Sequence, residues 1–282
     1  TLHHRNSWND DALLAHPHNQ SVDQDFPVSD AHRFPSQPIC QLGSARSGEV
    51  AIMMATLDSG ELLVASLQPP RELRDDELPG IVAGFKKAAE NALAAGFDGV
   101  EVHGVNGYLL DEFLRDGANK RSGPYGGPIE NRARLLLEVI EAVVSVCGSD
   151  RVGVRISPLN SYNSMIDSDP IGLSTWLATR LNDFNLAYLH VMRSDFFQQQ
   201  SGDVMTPIRA AYKGVMIGNM GYTAAEAEQA IADSKLDAVA FGTGFLANPD
   251  LPARIKAGAE LNQPNPATFY SPGPAGYTDY PS

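Results

Sequence analysis

Cysteine is scarce in this chain of 282 residues. It has two, Cys40 and Cys147, far apart in sequence, which excludes a disulfide framework and the paired spacing of a zinc site. Both are read as core fillers. Positive charge is also short: 21 Lys and Arg stand against 34 Asp and Glu, a formal net charge of −13. That balance argues against nucleic acid or an anionic membrane as a principal partner. No apolar run approaches the roughly 20 residues of a membrane helix. The opening "TLHHRNSWNDDALLAHPH" lacks the apolar stretch of a secretory leader, and the expectation is a cytoplasmic protein. No Gly-x-Gly-x-x-Gly turn follows any strand, so a doubly wound dinucleotide fold lacks its fingerprint. "RDGANKRSGPYGGP" is glycine-rich and basic but fails the P-loop spacing. His3, His4, His16, His18 and His32 are five of the seven histidines. "HH" and "HPH" offer neither an i, i+4 helical pair nor nearby cysteines, so no metal site is assigned to them.

What is present is ample apolar material, 43% of residues, enough for one large core. From about residue 76 helical and extended patterns alternate without a break. Helices are predicted over 76–96, 128–148, 171–184, 204–212, 223–234 and 248–258, and strands over 97–103, 151–158, 186–192, 214–219 and 237–243. In the second helix Ile129, Leu136, Ile140 and Val143 share a face, and Gly148 is the stop. Uninterrupted βα units mean a parallel sheet with right-handed crossovers, and alternation of this length favours an α/β fold of the (β/α)₈ TIM-barrel type. Strand parity agrees. In "RVGVRISP" Val152, Val154 and Ile156 suit packing on outer helices, while Gly153 and Arg155 point into the barrel. In "FDGVEVH" Val100 and Val102 face the helices and Glu101 and His103 face inward. Two strands thus send polar groups to the C-terminal mouth, where barrel chemistry resides.

The start reads differently. Residues 1–36 form an irregular segment with no clear period. "PSQPICQLG" suits one inward strand, and residues 44–73 suit a long, partly apolar loop with a hairpin. Since a βα unit needs on the order of 30 residues, the strands near 38, 100, 153, 189, 216 and 239 give a barrel that lacks or replaces its first one or two βα units. Its open edges call for cover by residues 1–36 or, alternatively, by a second subunit, the second case being a homo-oligomer. The expected division is 1–36, a barrel over 37–262, and a tail over 263–282 lying on the barrel mouth.

Five spaced segments carry a resemblance. "AAENALAAGFDGVEVHGVNGYLLDEFLRDGANKRSGPYGGPIENRARLLLEVI", "DRVGVRISP", "GNMGY", "AVAFGTGFLANPDL" and "PATFYSPGPAGYTDYP" resemble, in order, the marks of the old yellow enzyme family of FMN-dependent ene-reductases. The likeness covers about residues 60–282. It implies a flavin domain that reduces the C=C bond of activated alkenes, such as α,β-unsaturated carbonyl or nitro compounds, with NADPH or NADH. By the same resemblance His103 and Asn106 bind the substrate oxygen and Tyr108 is the proton donor, with hydride from the flavin N5. Arg155 and Gln41 contact the flavin pyrimidine, and Tyr270 lines the substrate mouth. Gly218, Asn219, Gly221, Gly242 and Thr243 lie where the FMN phosphate is held, at loops rich in backbone N–H groups.

Two departures stand out. The family has arginine where Thr243 stands. A charge-assisted hydrogen bond contributes about 1.5–3 kcal/mol against about 1 for a neutral one, so this change alone weakens FMN by about tenfold. No segment matches the family's first two strands. The alternative reading is a degenerate or truncated relative that binds no flavin and serves as a non-catalytic binding or structural barrel.

Overall fold

The computed structural model describes residues 52–56, 62–66, 71–269 and 273–282. Strands β1 (Ile52–Thr56) and β2 (Leu62–Ser66) pair antiparallel, Ile52 opposite Ser66 and Thr56 opposite Leu62, the hairpin expected within 44–73. The strand expected near 38 lies outside the described residues, as do the five N-terminal histidines, Gln41 and Tyr270.

Five strands make the central sheet: β3 (Val100–Gly104), β4 (Val152–Ile156), β5 (Tyr188–Met192), β6 (Met216–Asn219) and β7 (Ala238–Ala240). They are parallel and lie in chain order. Helix α1 (Leu78–Ala94) precedes them; α2 (Leu109–Leu114), α3 (Ile129–Arg132), α4 (Arg134–Cys147), α5 (Pro170–Leu181), α6 (Met205–Ala211) and α7 (Ala224–Ala232) run between them; α8 (Thr243–Ala247) and α9 (Leu251–Ala257) follow β7. This is the α/β, TIM-barrel-type architecture that the alternation implied. The helix expected over 128–148 is a single turn, α3, running through Ala133 into α4.

Local signals account for these elements. Helix α4 buries Leu135, Leu136, Val139, Ile140 and Val143, a stripe at helical spacing, and stops at Gly148 with φ 83°. Helix α5 starts on Asp169, whose carboxylate accepts the Gly172 N–H at 2.8 Å, with Pro170 in the first turn. Helix α7 opens with a reciprocal Thr223–Glu226 capping box.

Register decides what reaches the interior. On the outer face Val152, Val154 and Ile156, with Leu189 and Val191, are buried in one core with Leu136, Ile140 and Leu177. On the inner face one layer aligns His103, Arg155, His190, Ile217 and Ala238 across all five strands. Residues 273–282 tie back to α9 and its sequel: Arg254 and Asn262 donate to the Pro281 carbonyl at 3.0 and 2.7 Å, and Tyr280 Oη accepts the Asn265 N–H at 2.8 Å. Among the described residues no helix is long and apolar enough to cross a membrane, and no His, Cys, Asp or Glu cluster could hold a metal ion.

Candidate functional site

The C-terminal ends of the five parallel strands bring polar residues together. Arg155, from β4, is half-buried and donates from Nη2 to Asn219 Oδ1 at 2.7 Å. Its Nε is buried and finds no hydrogen-bond partner among the described residues. Burial lowers the Arg155 pKa, with Glu101 acting against it. Asn219 in turn donates to the Ala240 carbonyl at 2.9 Å, binding β6 to β7. Arg155, Asn219, Gly221, Gly242 and Thr243 line one cleft of about 660 Å³, with Phe196 on its wall. Gly218 is placed elsewhere: a Cβ there would meet Leu236 at 2.4 Å and Tyr222 at 3.1 Å, so it serves close packing behind the strand.

The loop at the far end of this cleft is tightly held. Met220 and Gly221 both take left-handed backbone, φ 83° and 67°, costly for a methionine. Arg193 secures them, donating from Nε to the Met220 carbonyl at 2.8 Å and from Nη2 to the Gly221 carbonyl at 2.6 Å. Its guanidinium lies over the Tyr222 ring at 3.7 Å. Thr243 opens α8 without a charge. Arg155 is the one cationic side chain among the described residues that line the cleft.

Beside Arg155 stands His103, its neighbour in the sheet. Burial lowers the His103 pKa, and the Arg155 charge lowers it further against an opposing pull from Glu101. The lowered pKa favours the neutral imidazole, a form with one N–H donor. The Tyr108 ring, more than half exposed, lies 5.6 Å from it centroid to centroid. Between the two runs a turn in which Asn106 and Gly107 are both left-handed, φ 59° and 68°. A Cβ on Gly107 would sit 2.6 Å from Asn163 Cβ and 2.8 Å from the Tyr162 carbonyl, so only glycine fits. Asn106 Oδ1 accepts from Asn160 Nδ2 at 2.7 Å, and its carbonyl accepts from Asn163 Nδ2 at 3.0 Å. With Oδ1 engaged, the side-chain Nδ2 is the group left to donate outward.

Several supporting residues escaped the sequence reading. Asp111, on α2, accepts the Gly107 N–H at 2.9 Å. Ser157, after β4, accepts the Asn106 N–H at 3.0 Å. Below the mouth Glu101 meets His190 at 2.9 Å. Burial would push Glu101 up, but its hydrogen bond and charge interaction with His190, with help from Arg155 and Tyr188, outweigh this and hold it low. Burial and that carboxylate push Tyr188 up to about 12. Gly153 leaves the space: a Cβ there would strike the Tyr188 ring at 2.2 Å. The parity that put Glu101 inward was the only sequence signal for this group. Gln41 and Tyr270 lie outside the described residues.

A parallel α/β barrel sheet with a polar, glycine-edged cleft at its C-terminal mouth is the frame of a barrel that binds a ligand at its strand ends. More specifically, the chain belongs to the NADH:flavin oxidoreductase / NADH oxidase family, whose model matches residues 36–262. It is 50% identical over 212 residues to a probable flavin mononucleotide-dependent alkene reductase of Leishmania infantum, covering 75% of this chain and 58% of that one. It is 43% identical over 225 residues to 12-oxophytodienoate reductase 2 of Arabidopsis thaliana, covering 77% and 60%. Among solved structures, the old yellow enzyme from Trypanosoma cruzi superposes with a TM-score of 0.77 at 48% identity, covering 80% of this chain and 60% of that one. Morphinone reductase superposes with a TM-score of 0.78 at 41% identity, covering 84% and 64%. The chain thus spans about three-fifths of the length of these relatives.

Proposed function

We propose that this chain is an FMN-dependent ene-reductase acting on the C=C bond of α,β-unsaturated carbonyl or nitro compounds, with NADPH or NADH as reductant. The observation that carries this is the pairing of His103 with Arg155 across the sheet, with the half-buried Arg155 guanidinium bonded to Asn219 and lining a cleft of about 660 Å³. The residues present fit FMN. Arg155 offers a buried Nε with no partner among the described residues, and at Gly242 no atom lies within 4 Å of where a Cβ would stand. Arg155 and Gln41 would hold the flavin ring. Asn219, Gly221, Gly242 and Thr243 would hold the ribityl phosphate, with Gly218 behind them. When bound, FMN takes two electrons from the nicotinamide and supplies hydride to the alkene β-carbon.

The chain's own residues do the rest. His103 and Asn106, three apart across the turn, donate N–H groups to the substrate oxygen, which gains negative charge as the alkene accepts hydride. Donors fixed before the reaction stabilise that charge without reorganising. Tyr108, exposed beside His103, gives its phenolic proton to the α-carbon, and solvent replaces it. Tyr270 would line the substrate mouth. A rival reading is a flavin-free relative in which the cleft binds another ligand; the uncharged phosphate end at Thr243 favours it.

The test is turnover of 2-cyclohexenone by the FMN-loaded protein. His103→Ala with Asn106→Ala should lower kcat by about 10²-fold or more, the loss expected for oxyanion donors. Unchanged turnover would remove both residues from the site.

A further inference from the structure

Asn106 owes its position to groups that never face the cleft. Two consecutive left-handed residues, Asn106 then Gly107, suit the tight turn that an Asn-Gly pair favours, and the Tyr108 N–H closes it on the Val105 carbonyl at 3.3 Å. The peptide N–H groups of Asn106 and Gly107 anchor this turn between β3 and α2. Gly107 donates to Asp111 Oδ2 at 2.9 Å. Asn106 donates to Ser157 Oγ at 3.0 Å, and Ser157 Oγ lies 3.5 Å from the same Asp111 Oδ2. One carboxylate oxygen therefore gathers both amides of the turn, one directly and one through the hydroxyl. The other oxygen, Oδ1, lies 3.7 Å from Arg115 Nη1, which itself donates to the Ser157 carbonyl at 2.8 Å. Asp111 and Arg115 are both almost wholly buried. A buried carboxylate is expensive unless hydrogen-bonded and paired, and every partner of this one bears on the turn or on the loop after β4 that braces it.

We infer that Asp111 is a positioning residue for the reaction: with Ser157 and Arg115 it locks the left-handed turn at Asn106 and Gly107, so that Asn106 and Tyr108 are presented in a fixed geometry beside His103. The inference rests on the ene-reductase reading for its consequence in catalysis, but the lock itself does not. The charged groups acting on Asp111 are Arg115, the residue that caps the C-terminus of α2, and, more weakly, Glu112 on α2 itself. Ser157 faces it from the loop after β4. The adjoining small cavity takes Leu173, Ser174 and Leu177 from α5, none of them titratable.

The experiment compares the FMN-loaded wild type with Asp111→Ala, Asp111→Asn and Ser157→Ala, using two readouts. The first is amide hydrogen exchange. Asp111→Ala should speed exchange at Asn106 and Gly107 by tenfold or more while α4 keeps its protection. Asp111→Asn keeps an acceptor oxygen and should restore Gly107, and Ser157→Ala should release Asn106 alone. The second is steady-state turnover of 2-cyclohexenone. Asp111→Ala should lower kcat at least tenfold with a smaller change in KM and unaltered FMN affinity, and Asp111→Asn should recover most of it. Exchange at the turn unchanged in both Asp111→Ala and Ser157→Ala would overturn the inference. So would a loss of turnover that merely follows lost FMN or that Asp111→Asn does not repair. If Asp111→Ala does not fold, Ser157→Ala still decides the matter by exchange: faster exchange at Asn106 supports the inference, and unchanged exchange there overturns it. A wild type that shows the protected turn but no turnover would count against the ene-reductase reading and leave the lock standing.

Discussion

Replacing Asp111 by asparagine tests how burial and ion pairing compete inside this site. Burial pushes the Asp111 carboxyl up to about 6 from an ordinary value of 3.8, even though Arg115, the Gly107 N–H and Ser157 all pull it down. A difference of about 2 pH units at about 1.4 kcal/mol each amounts to about 3 kcal/mol of linked stability. The sign follows from which state binds the proton. Below pH 3.8 both folded and unfolded chains hold it, and Asp111 adds no pH dependence. Between 3.8 and about 6 the unfolded chain releases the proton while the folded chain keeps it, so folding weakens as pH rises. Above about 6 both have lost it and the penalty is constant. Asp111→Asn does not titrate. Unfolding in urea, followed from pH 4 to pH 7 for both proteins, should therefore show the variant gaining about 2.4 kcal/mol of that total on wild type, the remainder falling below pH 4. Loss of the Arg115 partner displaces the variant's curve vertically but leaves this slope unchanged. Parallel curves would refute the reasoning. Wild type gaining on the variant with rising pH would show that Arg115 outweighs burial and holds the carboxyl low.

Two other substitutions probe the two ends of the site. Gly107→Ala places a Cβ 2.6 Å from Asn163 Cβ at a φ of 68°. It should cost about 1–3 kcal/mol in thermal unfolding and lower turnover with it, and a variant as stable as wild type would mean the turn is not held as described. Thr243→Arg should tighten FMN by about tenfold, the difference between a neutral and a charge-assisted hydrogen bond, and leave riboflavin unchanged; equal gains for both flavins would show that the arginine does not reach the phosphate.

Much of this arrangement was legible in the residues, and the reason is periodicity. Val152, Val154 and Ile156 alternate with Gly153 and Arg155, and a period of two tells which side chains enter the barrel before any strand is paired. The same rule turned Glu101 and His103 inward. Helices α2 and α8 went unread because six and five residues hold too few turns to reveal a helical stripe. Asp111 was invisible for a different reason. An acid in "YLLDEFL" reads as a solvated face, and its burial depends on Ser157, 46 residues away in the chain, a contact that only the pairing of β3 with β4 creates. Gly218 shows the converse limit: a glycine within a matching motif looks like part of a ligand cradle, whereas the packing of Leu236 and Tyr222 against it assigns it to the layer behind.

The account stands or falls on whether the cleft at Arg155 and Asn219 takes up flavin. The direct measurement is titration of the purified protein with FMN, followed by the visible absorption spectrum and then by addition of NADPH or NADH. The expected result is a flavin band that shifts on binding, saturates at one equivalent and bleaches on adding the nicotinamide, with Arg155→Met weakening uptake. A spectrum that remains the sum of free FMN and protein at every ratio would contradict the central claim and leave the cleft to a different ligand.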